Sequence, residues 1–358
     1  MATVNLYTQT DMANPVIWYG TVYRNTSSQI ILSDGYRGGI YYGSGFTYSG
    51  YSVNGGALTG YDGGINVNIY TLSYDPTFTV RGLNLSAITA YNYIQSGNAL
   101  GLQEWALSGN DVLNGSIYND TLLSYNGNDT LNGGLGNDTM VGGLGNDTYV
   151  VNSISDVVTE ALNAGTDLIQ SSVTYTASAN VENLTLTGTS NINATGNTLN
   201  NTLTGNSGIN NLSGSDGNDT LSGFAGNDIL SGGNDTDLLF GGLGNDTLTG
   251  GSGNDAFIFN TALNATSNRD TITDFSHADD TIQLSKSVMS ALGVKGTLST
   301  DDFKFSTQAL DTSDRIIYNQ TSGALFYDAD GSGRSAALQI AILDSRPTGI
   351  DYTDFVII

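Results

Sequence analysis

The chain has 358 residues, a net charge of −24 from 34 acidic against 10 basic residues, no cysteine and a single histidine. Charged residues make up only 12% of it, against about 25% in ordinary soluble domains, so the acidity reflects scarce Lys and Arg rather than acidic tails. That balance excludes disulfide stapling and thiol chemistry, and it argues against nucleic-acid binding, for which no basic stripe exists.

In chain order, residues 1–82 read as an N-terminal antiparallel β domain dense in Tyr and Gly. Short alternating runs at 29–32, 46–49 and 66–70 sit among glycine pairs such as Gly38-Gly39, Gly55-Gly56 and Gly63-Gly64, the pattern of strands joined by tight turns. Its tyrosines suit cross-strand packing, or an aromatic platform for glycans or a neighbouring copy. Residues 83–108 change character. Apolar residues recur at helical spacing on either side of Ser96-Gly97-Asn98, which predicts a short helical cap over the end of a solenoid.

Residues 109–150 then beat in nines. Asp111, Asp120, Asp129, Asp138 and Asp147 recur at a strict interval, and the beat returns within 196–259 at Asp219, Asp228, Asp237, Asp246 and Asp255. Around them the chain reads Gly133-Gly134-Leu135-Gly136-Asn137-Asp138-Thr139-Met140-Val141. This is the nonapeptide GGxGxDxUx, with U a large apolar residue, a calcium-binding β-helix repeat. Glycine at the first, second and fourth places is expected to let the backbone turn through positive φ and aim carbonyl oxygens at one spot. Aspartate adds a carboxylate, and an all-oxygen set suits calcium rather than zinc or copper. The U residues, Leu113, Leu122, Leu131, Met140 and Tyr149, then Leu221, Leu230, Leu239, Leu248 and Phe257, are expected to point inward.

Two nonapeptides make one coil turn, so loops eighteen residues apart stack, and several calcium ions are expected between them. They would join Asp111 to Asp129, Asp120 to Asp138 and Asp129 to Asp147, then Asp219 to Asp237, Asp228 to Asp246 and Asp237 to Asp255. The loop glycines that complete the candidate set are Gly127, Gly133, Gly134, Gly136, Gly142, Gly143 and Gly145 in the first run. In the second run they are Gly217, Gly226, Gly232, Gly241, Gly242, Gly244, Gly250, Gly251 and Gly253. A flexible linker, or a solenoid stacked through asparagine ladders without metal, is the alternative; a linker would not keep an apolar residue two places after every Asp. Asn201 and Asn210 take the Asp place and predict weakened or lost sites, and Asp235 takes the place of the fourth glycine.

Residues 151–195 lose the nonapeptide but keep strand-like stretches, and read as a β-solenoid continuation. Residues 260–358 form a C-terminal β-rich module in which Asp270, Asp274 and Asp280 are further candidate ligands. Asp328-Ala329-Asp330-Gly331 reads equally as a solvated hairpin turn or a ligand set, and residues 354–358 as a buried last strand.

At this point the chain resembles the RTX proteins exported by type I secretion. The resemblance rests on the nonapeptides over roughly residues 105–358, and on 270–282 and 316–333, which are similar to the module that follows the roll in serralysin-type proteases. It implies a calcium-stacked parallel β-roll, export through a type I transporter, and an uncleaved export signal at Asp354-Phe355-Val356-Ile357-Ile358. In keeping with that route, the first residues show no basic-then-apolar leader, and no apolar run approaches a membrane span.

The resemblance does not imply an activity. A zinc-protease HExxH cannot exist with His277 alone, no GxSxG elbow occurs, and residues 1–82 hold no Glu for a carboxylate pair. No catalytic residue is expected. The sequence therefore predicts an all-β, secreted, calcium-binding protein that folds on calcium outside the cell. Its expected role is structural, self-assembling or adhesive, in a surface layer, filament or matrix. The alternatives are a glycan- or haem-binding extracellular module and an extracellular hydrolase.

Overall fold

The computed structural model describes residues 108–358 apart from Ala265, together with the backbone of seven short strands within the first 107 residues. Those early strands include an antiparallel sheet of Thr21–Thr26, Gln29–Ser33 and Gly38–Tyr42 and a hairpin of Thr47–Ser49 with Ser52–Gly55. Thr3–Leu6 pairs antiparallel with Phe78–Arg81 and parallel with Val112–Asn114. The antiparallel N-terminal expectation holds for these strands. The strand expected at 66–70 and the helices expected over 83–107 lie outside the described residues. Nothing supports the helical cap: among the described residues the one helical element is a 3-10 turn, Tyr352–Asp354.

The chain divides into two compact units, 1–170 and 171–358. In the first unit, three-residue strands stack in parallel at an offset of eighteen. Val112–Asn114, Thr130–Asn132 and Thr148–Val151 form one ladder; Thr121–Leu123, Thr139–Val141 and Val157–Thr159 form another. The strands are short because the nonapeptide leaves only xUx between glycine turns, and the pleat sends the U residue alone to the interior. Leu113, Leu131 and Tyr149 therefore stack on one side and Leu122, Met140 and Val158 on the other, all buried. Each such side chain contributes roughly 1.5–3 kcal/mol on burial, which is thin support for nine residues of ordered chain.

The second unit repeats the scheme on a longer axis. One ladder runs Leu184, Leu203, Leu221, Leu239, Phe257, Ile282, Phe355 in register. The other runs Ala194, Leu212, Leu230, Leu248, Ile272, Leu343. The parallel stack thus includes strands before the second nonapeptide run and continues beyond it, through Asp270–Ile272 and Thr281–Leu284. It ends where Ala324–Tyr327 and Ile316–Asn319 add antiparallel strands to Leu338–Leu343. Phe355–Ile357 is built into the sheet, parallel to Thr281–Leu284 and antiparallel to Gly296–Thr297. The last residues are buried strand, as their apolar sequence predicts.

Candidate metal centre

Every site begins with how a carboxylate enters the roll. The sixth-place aspartate immediately precedes its strand, so its side chain turns inward at the lip of the coil. One oxygen is spent on the stack: Asp129 Oδ1 accepts from Asp111 N–H at 2.7 Å, Asp138 from Asp120 at 2.8 Å and Asp147 from Asp129 at 2.7 Å. In the second run Asp237, Asp246 and Asp255 accept in the same way from Asp219, Asp228 and Asp237 at 2.8, 2.8 and 2.9 Å. The fifth-place asparagines make a second, exposed ladder of opposite sense, in which Asn110 accepts from Asn128 N–H and Asn128 from Asn146 N–H. The asparagine ladder exists, but it leaves the aspartates unsatisfied.

The other aspartate oxygen is the informative atom. Oδ2 of Asp129, Asp138, Asp147, Asp219, Asp228, Asp237, Asp246 and Asp255 is buried with no hydrogen-bond partner. A buried polar group is ordinarily paired, and a buried charge without a partner costs several kcal/mol. No protein cation is at hand, because no Lys, Arg or His occurs between Arg81 and Arg269. Among the described residues the ion pairs are His277–Asp354 and Lys304–Asp314, neither in the runs. Burial accordingly pushes Asp129, Asp228 and Asp237 up to about 7 and Asp138 and Asp219 up to about 6, opposed by the N–H donated to each. Asp147, Asp246 and Asp255 are raised for the same reason.

The glycines divide by role. At the second and fourth places the backbone is left-handed, as at Gly134 (φ 84) and Gly136 (φ 134). Non-glycine residues follow the same path: Tyr125, Ser215 and Phe224 at the second place and Asp235 at the fourth have φ of 69, 92, 73 and 76. Asp235 is exposed and keeps the loop's shape, with Oδ2 3.3 Å from the Gly217 N–H that donates to it. The first-place glycines Gly133, Gly142, Gly232, Gly241 and Gly250 do not take positive φ, contrary to the sequence expectation. Their constraint is space, since a β-carbon there would collide with Oδ2 of the aspartate of the same loop. The orphaned oxygen therefore sits in a cradle that only glycine leaves open.

The asparagine turns that depart from the nonapeptide satisfy themselves. Asn201 and Asn210 accept from Asn197 and Asn206 N–H at 2.7 and 2.8 Å. Their amide nitrogens donate to carbonyls of the preceding turn, Asn201 to Val181 and Glu182 and Asn210 to Ile192. Asp120 Oδ2 accepts from Ser116 N–H and Oγ while its Oδ1 stays buried without a partner, and Asp280 Oδ2 accepts from Ser276 N–H at 2.8 Å. Asp270 Oδ1 accepts from Asp246 N–H, and burial pushes its carboxyl to about 8. Both oxygens of Asp274 accept from Gly250 and Gly251 N–H, which leaves it a capping place over the last regular loop. Asp111, buried, donates its N–H to Asp129 and begins the first column.

The residues present fit calcium. Eight buried, unpaired carboxylate oxygens, an all-oxygen environment and no basic side chain call for a hard divalent cation. Bound calcium would neutralise these carboxylates and join neighbouring coils. Sequence reasoning missed three buried acids just after the first run. Asp156 lies on the nine-residue beat, but its loop lacks glycine. Asp167 closes Gly165-Thr166-Asp167-Leu168-Ile169, a half-motif displaced by two residues, and Glu160 has no sequence signature at all.

Comparison with curated proteins gives no match. Among solved structures, a subunit of the mannuronan C5-epimerase from Azotobacter vinelandii aligns at 24% identity over 44% of this chain and 78% of that one. Its TM-score is 0.21, too loose a superposition to carry a structural argument. The family model of the RTX calcium-binding nonapeptide repeat, in four copies, matches residues 105–140, 114–149, 195–230, 204–239 and 222–257. With the orphaned aspartate oxygens and glycine cradles falling on those same residues, the two runs are RTX calcium-binding nonapeptide repeats.

Proposed function

We propose that this is a secreted, non-enzymatic protein that folds on calcium outside the cell and serves there as a structural or adhesive component. The observation that carries the reading is the set of eight buried aspartate oxygens without a partner, in a stretch of sequence devoid of basic residues. Such a segment stays unfolded where calcium is scarce and folds where it is abundant, at the roughly millimolar level of extracellular fluids. RTX repeats are typical of secreted proteins, which agrees with export through a type I transporter.

A structural role is supported by the surface. With calcium bound, much of the −24 net charge is neutralised and self-repulsion falls. Third-place residues Leu135, Leu144 and Leu243 then stand exposed on the loops, as apolar points for contact with another copy. The single histidine is occupied in holding the C-terminal turn, with Nδ1 2.8 Å from Asp354. No helix among the described residues is long and apolar enough to cross a membrane.

Particle size measured by light scattering with and without calcium tests the proposal. Ordered assemblies appearing at millimolar calcium and dispersing on chelation are expected. A calcium-loaded protein that stays monomeric but binds glycan or haem, or hydrolyses a test ester or peptide, would replace this reading.

A further inference from the structure

The first run does not end on a repeat. Asp147, Glu160 and Asp167 are all buried, and each places a carboxylate oxygen within 4.8 Å of the others. Among the described residues this is the one group of three acids so placed. Asp147 belongs to the last regular loop, whereas Glu160 and Asp167 come from the segment that follows it, outside the nonapeptide rule. Asp167 Oδ1 accepts from Asp147 N–H at 2.8 Å, so the segment is docked in the same ladder that orders the roll.

A second observation points to a ligand. Asp147 is 1% exposed, yet its Oδ2 has no partner. A β-carbon on Gly142 would collide with both that oxygen and the Tyr149 hydroxyl, so the two face one point. The Tyr149 hydroxyl donates to Glu160 Oε1. Tyr149 stands where the other first-run repeats carry Leu or Met, and its phenol brings an oxygen into an otherwise apolar column. Three carboxylates and a phenol oxygen, with no nitrogen, sulfur or basic group, form a hard-oxygen set.

We propose that Asp147, Glu160 and Asp167 form a calcium site of a different kind from the nonapeptide sites, with Tyr149 beside it, and that it takes the first ion. This rests on the reading of the runs as calcium-folded. Affinity in such sites follows the number of charged ligands. A three-carboxylate site therefore exceeds the loop sites, whose acids come one from each stacked loop. Its ion ties residues 152–167 to the last regular loop, closing the first run where the repeats cease and giving the coils a fixed end on which to stack.

Calcium titration of the full chain, with ions counted by native mass spectrometry, tests this. Wild type is expected to bind several ions with one tightest step. Glu160→Gln and Asp167→Asn should each lose one ion and weaken that step at least tenfold. Asp237→Asn, in the second unit, should lose an ion without moving the step. Should Glu160→Gln fail to regain β structure at saturating calcium, terbium decides. Tyrosine-sensitised emission from the first equivalent should fall severalfold in Tyr149→Phe, and unchanged emission would overturn the site. Wild type binding several ions while Glu160→Gln keeps both their number and the tightest step would defeat this inference and leave the roll's calcium reading standing. Wild type binding none would defeat both.

Discussion

Removal of calcium at pH 7.5 should unfold the roll, and the size of the effect follows from three aspartates of the second run. Asp228 and Asp237 are pushed from 3.8 to about 7 by burial and Asp219 to about 6, and all three are at most 1% exposed. A tenfold change in proton affinity corresponds to about 1.4 kcal/mol, so holding these carboxylates charged in the metal-free fold costs about 4 kcal/mol for each of the first two and about 3 kcal/mol for the third. Together they approach the about 5–15 kcal/mol that is the whole net stability of a typical domain. Asp246 and Asp255 add to the same side. The core cannot offset this, since each nonapeptide buries one large side chain against roughly 1–2 kcal/mol of backbone entropy per residue. Far-UV circular dichroism during titration with a chelator should show loss of most β signal across 109–258, recovered on adding millimolar calcium. A spectrum indifferent to chelation would refute the reasoning, because the buried oxygens would then have found another partner.

Acid should partly replace the metal. The folded, metal-free turns bind more protons than the unfolded chain, so in chelator the β signal should rise as pH falls from about 8 through 7 and 6 towards 4, and the calcium needed for half-folding should fall over the same range. Gly244→Ala, at φ 142 with its β-carbon against the Gly226 carbonyl oxygen, should cost about 3 kcal/mol or more in a calcium-loaded melt, whereas Gly188→Ala, at φ 75 in open space, should cost about 1 kcal/mol. Asn201→Asp removes the donors to Val181 and Glu182 and should cost about 1–3 kcal/mol in chelator, regained when calcium is added. Phe355→Ala should lower stability by about 3–5 kcal/mol, since Phe355 is fully buried between Ile282 and the Phe303 ring, 5.4 Å away.

The roll was legible because its signal is periodic: a period of nine sets the strands, and a doubled period of eighteen sets which aspartates share a column. Hydrogen bonds between residues eighteen apart follow that register. What stayed hidden is whatever breaks the period while keeping the stack. Glu160 and Asp167 reach Asp147 across intervals of thirteen and twenty residues, and no local pattern announces that contact. Asp255 reads as the edge of a run, yet its N–H donates to Asp280 and another strand packs beyond it, so it is an interior position. The sequence reads residues 354–358 both as a buried last strand and, through the resemblance, as an export signal. Their strand pairs on both sides and none of the five is exposed, so deletion removes part of the sheet and cannot separate an export role from folding.

The same difference between periodic and non-periodic turns orders the folding. Turns around Asn201 and Asn210 need no metal, because an amide nitrogen donates to the carbonyls of the coil before it. Turns at Asp219, Asp228, Asp237, Asp246 and Asp255 each leave a buried carboxylate oxygen without a partner, so they need a cation or, in acid, a proton to close. In the second unit the asparagine turns stack directly on the first of these, where Asn201 and Asn210 N–H donate to Asp219 and Asp228 Oδ1 at 2.6 and 2.8 Å. A metal-independent step is therefore joined in register to a metal-dependent run. Because parallel stacking grows from an existing edge by nearest-neighbour contacts, the asparagine turns offer the template and calcium sets how far the coil extends from it. An all-aspartate solenoid would have to order several coils and ions at once. The two buried asparagines lower that barrier at the expense of two sites.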